Sequence, residues 1–180
     1  MTTMLWDYLV PGAAALLATV FAVSAFGKVR DHRGFAASLE PLGLVPTRLL
    51  SAAAWAAAAG EAAVVAAFAG YALGIGPAGW IAFGGSFALL AVFTAVILAS
   101  LRRGSSARCH CFGRSGAVYS SRHVVRNAAL GVVAVAGGLA ALPAGAPGPA
   151  ELAGVLLTVV TGLVAGVLVV VMDDLVELFA

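Results

Sequence analysis

The sequence predicts an all-α fold: a polytopic transmembrane helical bundle of four or five spans. Composition, hydropathy and periodic apolar stretches all point there. Of the 180 residues 62% are hydrophobic and only 10% are charged, against roughly 25% charged in a soluble domain. So few charges cannot cover a water-facing surface, and the mean hydropathy of +1.06 makes the bilayer the natural solvent. Apolar stretches near the roughly 20 residues a crossing helix needs recur between charged or Pro/Gly-rich breaks. Backbone groups in lipid must bond within their own segment, so these stretches are helices.

Taken in order, the first span is expected at residues 8–27, ending at Lys28. The second, at 49–71, contains a single charge, Glu61. The third, at 79–101, stops at Arg102 and Arg103, and the fourth, at 123–142, stops at Pro143. The fifth, at 152–172, ends at Asp173 and Asp174. The whole chain, 1–180, reads as one integral membrane domain. Met1 to Tyr8 contains no Lys or Arg, so the first apolar stretch is read as a span, not a cleaved signal peptide.

The charges give an orientation. Lys28, Arg30, Arg33 and Arg48 flank or lie in the first loop. Arg102, Arg103, Arg108, Arg114, Arg122 and Arg126 flank or lie in the third, which completes the 10 Lys and Arg residues of the chain. Cytoplasmic loops collect basic residues. The expectation is therefore a cell-membrane protein with its N-terminus outside and its first and third loops cytoplasmic. Trp6, Tyr8, Tyr71 and Trp80 then form an outer aromatic belt. Gly162 and Gly166, at four-residue spacing in the fifth span, would let a neighbouring helix approach. The net charge of +2 and the lack of a basic patch beside aromatics argue against nucleic-acid binding. No phosphate-cradling Gly-rich loop or nucleophile elbow is present, and no cofactor is implied.

The reactive feature is Arg108-Cys109-His110-Cys111-Phe112-Gly113-Arg114 in the third loop, which holds both cysteines of the chain. Thiolates are the reactive form, and Arg108, Arg114 and His110 would lower the thiol pKa. A disulfide between Cys109 and Cys111 closes a small strained ring, and strained disulfides are readily reduced. Such a pair suits exchange better than stapling. The rival readings are two inert loop cysteines, or a metal site using Cys109, His110, Cys111 and His123. Contiguous ligands do not readily face one ion, and the Cys-x-x-Cys spacing of zinc sites is absent. Glu61 is the second candidate, because a mid-membrane carboxyl is functional by default. Its rival role is a neutral, hydrogen-bonded acid that packs two helices. Lys28, Arg126 and Asn127 lie near the same membrane surface as potential companions of Glu61. Ordinary interfacial snorkelling is the simpler expectation for Lys28 and Arg126.

These residues, in this order, resemble the methylamine-utilisation protein MauE family, relatives of the DoxX-like membrane proteins. The resemblance spans roughly Val10 to Leu142. It rests on Phe26-Gly27-Lys28, Phe35, Pro46, Glu61, Arg103-Gly104, Cys109-His110-Cys111-Phe112-Gly113, Ser121 and Arg126-Asn127. Family members are commonly four-span, so the resemblance implies a four-helix core, with the fifth C-terminal span outside it. The resemblance implies thiol–disulfide work supporting maturation of an exported, disulfide-rich dehydrogenase subunit, alongside a thioredoxin-like partner. That client side conflicts with cytoplasmic cysteines. Either the loop folds back into the bundle, or electrons enter from a cytoplasmic thiol. The reading is a membrane redox-associated maturation factor with possible thiol–disulfide oxidoreductase-like activity through Cys109 and Cys111. The alternatives are a non-catalytic scaffold recruiting a thioredoxin-like protein, or a small metal or solute carrier.

A membrane-impermeant thiol reagent applied to intact cells is expected to leave Cys109 and Cys111 unlabelled and to label both after permeabilisation. Strong labelling of intact cells would reverse the orientation.

Overall fold

In the computed structural model five helices are long and apolar enough to cross a membrane: Tyr8–Arg30, Thr47–Ala72, Gly76–Arg102, Arg122–Ala141 and Leu152–Met172. The structure describes residues 2–102, 108–109, 117–118, 121–141 and 152–179, with side chains described for 8–102, 122–141 and 152–172. All five spans fall where the apolar stretches place them, and the chain is a multi-pass membrane protein whose apolar surface suits a lipid bilayer.

Helix α1 runs from Thr2 to Arg30, and the short α2 follows at His32–Ser38. Two single 3-10 turns at Glu40–Leu42 and Thr47–Leu49 lead into α3 at Leu50–Ala72. Helix α4 spans Gly76–Arg102, α5 Ser121–Ala141 and α6 Leu152–Phe179. Between α4 and α5 lies a two-residue antiparallel ladder, β1 (Arg108–Cys109) on β2 (Ala117–Val118), with Cys109 opposite Ala117. The first loop is thus partly helical, where sequence reading took it as connection only. Asp31 caps α2, its Oδ1 accepting from the Gly34 amide at 3.0 Å.

The turn between α3 and α4 is tighter than the seven-residue loop the sequence suggested. Gly74 takes φ 85, the Ile75 amide donates to the Gly70 carbonyl at 3.0 Å and the Gly74 amide to Tyr71 at 3.0 Å. This is the Schellman pattern, in which a left-handed glycine closes the helix and satisfies its last carbonyls. Such a short connection forces α3 and α4 to be antiparallel neighbours. Gly79 is needed there too, because a Cβ would lie 2.9 Å from the Tyr71 ring.

Helices α1, α3, α4 and α5 close a ring, each packing on the next and α5 returning to α1. Every helix turns one stripe inward at three- and four-residue steps. On α1 that stripe is Leu17, Val20, Phe21, Ser24 and Lys28; on α3 it is Ala54, Ala58, Glu61, Val64 and Phe68. On α5 it is His123, Arg126, Asn127, Leu130, Ala134 and Ala140. Phe68 and Phe83 meet edge-to-face at 5.1 Å between centroids near the core centre.

The fifth span, α6, lies outside this ring against α1. Among its described side chains only Gly162 and Gly166 are fully buried. A Cβ on Gly162 would collide with the Gly12 carbonyl oxygen, and one on Gly166 would lie 2.8 Å from Thr19 Cβ. Close backbone approach at small residues is how helices associate where lipid removes the hydrophobic driving force. Gly162→Leu is expected to lower thermal stability in micelles by the roughly 1–3 kcal/mol of an overpacked contact, or more. Val164→Leu, on the exposed face of α6, is expected to leave the melting temperature unchanged.

Candidate functional site

Four of the sequence-selected residues meet in one place. Lys28 lies near the end of α1, and Glu61 lies 11 residues into α3, about 16 Å along it at 1.5 Å per residue. The Lys28 ammonium and Glu61 Oε1 form an ion pair at 2.7 Å, with both side chains 1% exposed. Ser24, one turn before Lys28 on the same stripe, accepts a hydrogen bond from Lys28 Nζ and donates to Glu61 Oε1 at 2.8 Å. The ammonium also faces two aromatic rings, 5.2 Å from the Phe35 centroid and 5.3 Å from that of Phe93, distances within reach of a cation–π attraction. Phe35 comes from α2 and is buried, so the short helix closes the site where α1 ends.

Snorkelling is therefore not what Lys28 and Arg126 do. Both are buried, at 1% and 7% exposure. Lys28 turns into the bundle because Glu61 is within reach there, and an isolated carboxylate in a membrane interior is costlier than a paired one. Glu61 is correspondingly the partner of Lys28 and Ser24, and its hydrogen bonds join α3 to α1. Its second oxygen, Oε2, is buried with no hydrogen-bond partner among the described residues.

A cavity of about 210 Å3 opens onto this pair. Ser24, Lys28 and Glu61 line it from α1 and α3, Arg126 and Asn127 from α5. The rest of its wall is apolar, including Phe21, Phe35, Leu90, Phe93 and Leu130. His123 is buried one turn before Asn127 on α5.

The third loop joins helix ends that border this cavity. Helix α4 contributes Phe93, Val96 and Ile97 just before it ends at Arg102, and α5 contributes Arg126 and Asn127 soon after it starts at Ser121. Within the loop, the backbone of Arg108 and Cys109 forms β1; His110, Cys111 and Arg114 lie outside the described residues, as do the side chains of Arg108 and Cys109. Among the described residues no three His, Cys, Asp or Glu side chains group as a metal site.

Sequence reading passed over Ser24, Phe35 and Phe93 as parts of the site. Ser24 had a signal: it precedes Lys28 by four residues, one helical turn. It also passed over a neighbouring aromatic contact, His32 stacked on Trp55 at 4.4 Å with Nε2 3.0 Å from Ser51 Oγ.

The family model described as methylamine utilisation protein MauE matches residues 6–142 of the chain. The chain belongs to the MauE family. No curated protein and no solved structure matches it. The match takes in every element from α1 to α5 and stops before α6. The four-helix ring, the Lys28–Glu61 pair and the cysteine loop are thus inside the MauE-family part, and α6 is an addition to it. Membership makes this a methylamine-utilisation-related membrane protein.

Removing one member of a buried ion pair strands the other charge, a loss of about 3–5 kcal/mol, whereas replacing both by apolar groups is far milder. Lys28→Met and Glu61→Leu are each expected to lower the melting temperature of the purified protein sharply. The Lys28→Met/Glu61→Leu double variant is expected to recover most of that loss. Additive losses in this double-mutant cycle would mean that the two charges do not depend on each other.

Proposed function

We propose that this MauE-family protein is a membrane redox-associated maturation factor in which Cys109 and Cys111 cycle between dithiol and disulfide. In the exchange, the thiolate of one cysteine attacks a partner disulfide and forms a mixed disulfide. The second cysteine then resolves it, so that two electrons and two protons pass to the partner, which leaves as a dithiol. The reverse direction reduces the pair. A thioredoxin-like protein is the natural partner, and an exported, disulfide-bearing protein the natural client. The observation that carries this reading is positional: the chain's cysteines lie in a loop whose two anchoring helices both line the polar cavity. Lys28 and Glu61 share that cavity with residues of the two anchoring helices, and exchange at a thiol takes up or releases protons.

The metal-carrier alternative is weakened at its membrane step. Glu61, the one carboxylate lining the cavity among the described residues, is already paired with Lys28. A cation entering there would meet the Lys28 ammonium and no further carboxylate on the cavity wall.

Differential alkylation in glutathione buffers of stepped potential is expected to show the two cysteines oxidising together, at a potential nearer the labile than the structural range. Cys111→Ser, or Cys109→Ser, is expected to accumulate a mixed disulfide with a thioredoxin-like protein in vivo. Thiols that stay reduced in oxidising buffer, together with stoichiometric bound zinc, would replace the exchange reading with a metal one.

A further inference from the structure

We infer that the cavity beside Lys28 and Glu61 is a binding site for the ring of a membrane-soluble quinone, entered from the bilayer between α3 and α4. The cavity reaches the lipid-facing surface. Its wall includes Val92, 57% exposed on α4, and the half-buried Ala53 and Ala57 on α3. The small side chains of Ala53 and Ala57, a turn apart on α3, and the exposed Val92 are where a ligand dissolved in the membrane would enter.

Size and charge narrow the ligand. A dry cavity of about 150 Å3 takes benzene, so about 210 Å3 holds a substituted six-membered ring while an attached chain stays in lipid. The walls at Phe21, Leu90, Phe93 and Leu130 suit a flat apolar ring. A cation is disfavoured, because the one carboxylate lining the cavity among the described residues, Glu61, is already paired with Lys28. An anion would set its charge against the buried lone pairs of Glu61 Oε2. A neutral ring remains.

Hydrogen bonding then selects the oxygen chemistry. A lysine ammonium has three N–H donors; those of Lys28 serve Ser24 Oγ and Glu61 Oε1, which leaves one. Glu61 Oε2 is a buried acceptor awaiting a donor, and such an atom costs stability until it is partnered. One donor and one acceptor are thus left side by side on the cavity wall. A quinone carbonyl takes the N–H; after reduction, the quinol hydroxyl also donates to Oε2. Asn127, on α5, offers a carboxamide to the same space.

The site deepens the proposed function by naming an electron acceptor, and that part rests on the thiol reading. Oxidation of the Cys109–Cys111 dithiol breaks two S–H bonds and forms one S–S bond. The two electrons and two protons released convert one quinone to one quinol, with an O–H bond formed at each ring oxygen.

The test uses the full chain in lipid nanodiscs and decylubiquinone as the probe. Saturable binding of one decylubiquinone per protein is expected. Ala57→Leu fills the cavity mouth without touching the ion pair; it is expected to keep the wild-type melting temperature and to weaken binding by about tenfold or more. The Lys28→Met/Glu61→Leu double variant, folded but without the polar readers, is expected to lose as much. Cys109→Ser/Cys111→Ser is expected to bind as tightly as the wild type while losing thiol exchange. Failure of the wild type to bind saturably, or wild-type affinity in Ala57→Leu, would overturn the site. Tight binding with no quinol formed on turnover of the thiols would leave the site standing and overturn the acceptor role. Normal thiol exchange with no quinone bound would overturn the site alone.

Discussion

An ion pair sealed inside a membrane bundle constrains everything around it. Lys28 and Glu61 stand 2.7 Å apart with almost no exposure, where either charge alone would face a cost of several kcal/mol. Each charge is tolerable only with the other beside it, so α1 and α3 must pack in one register. Ser24 extends the pair into a three-group network across those two helices. Phe35 and Phe93 enclose the ammonium from α2 and α4. The first loop is ordered into α2 at the point where a ring is needed to close the site.

The same pairing accounts for the cavity. Charged and amide side chains from α1, α3 and α5 converge at one end of the bundle, and long polar groups do not fill space as aliphatic ones do. A polar pocket of about 210 Å3 is left with aromatic and aliphatic walls. The cysteine loop is anchored on α4 and α5 beside it. Thiol exchange, proton uptake and a lipid-accessible pocket are therefore neighbours in the proposed mechanism.

Helix α6 follows a different logic. It lies beyond the residues that match the MauE family and holds to α1 through Gly162 and Gly166 against Gly12, Leu16 and Thr19. This is a close approach at small residues, and most of the other described side chains of the helix are exposed or half-buried. Among the described residues no α6 side chain lines the cavity.

Much of this was legible from residues alone. Apolar length located all five spans to within a few residues, because the bilayer sets helix length. A lone Glu in an apolar span marked Glu61, since membranes make charges conspicuous, and the paired cysteines marked the loop. What hydropathy could not reveal was direction. Most of these helices are apolar all round, so a hydrophobic pattern does not distinguish the face toward a neighbour from the face toward lipid. Lys28 and Arg126 looked like side chains reaching for the membrane surface; packing turned both inward, and for Lys28 the position of Glu61 decides. Ser24, Phe35 and Phe93 joined the site for the same reason: their roles depend on which helices become neighbours. Composition and spacing determined that the chain has five helices long and apolar enough to cross a membrane, one acid within them and two closely spaced cysteines. The tertiary structure decided that the acid has a lysine partner, because pairing two charges in lipid is a matter of distance between helices, and distance between helices is not written in any one of them.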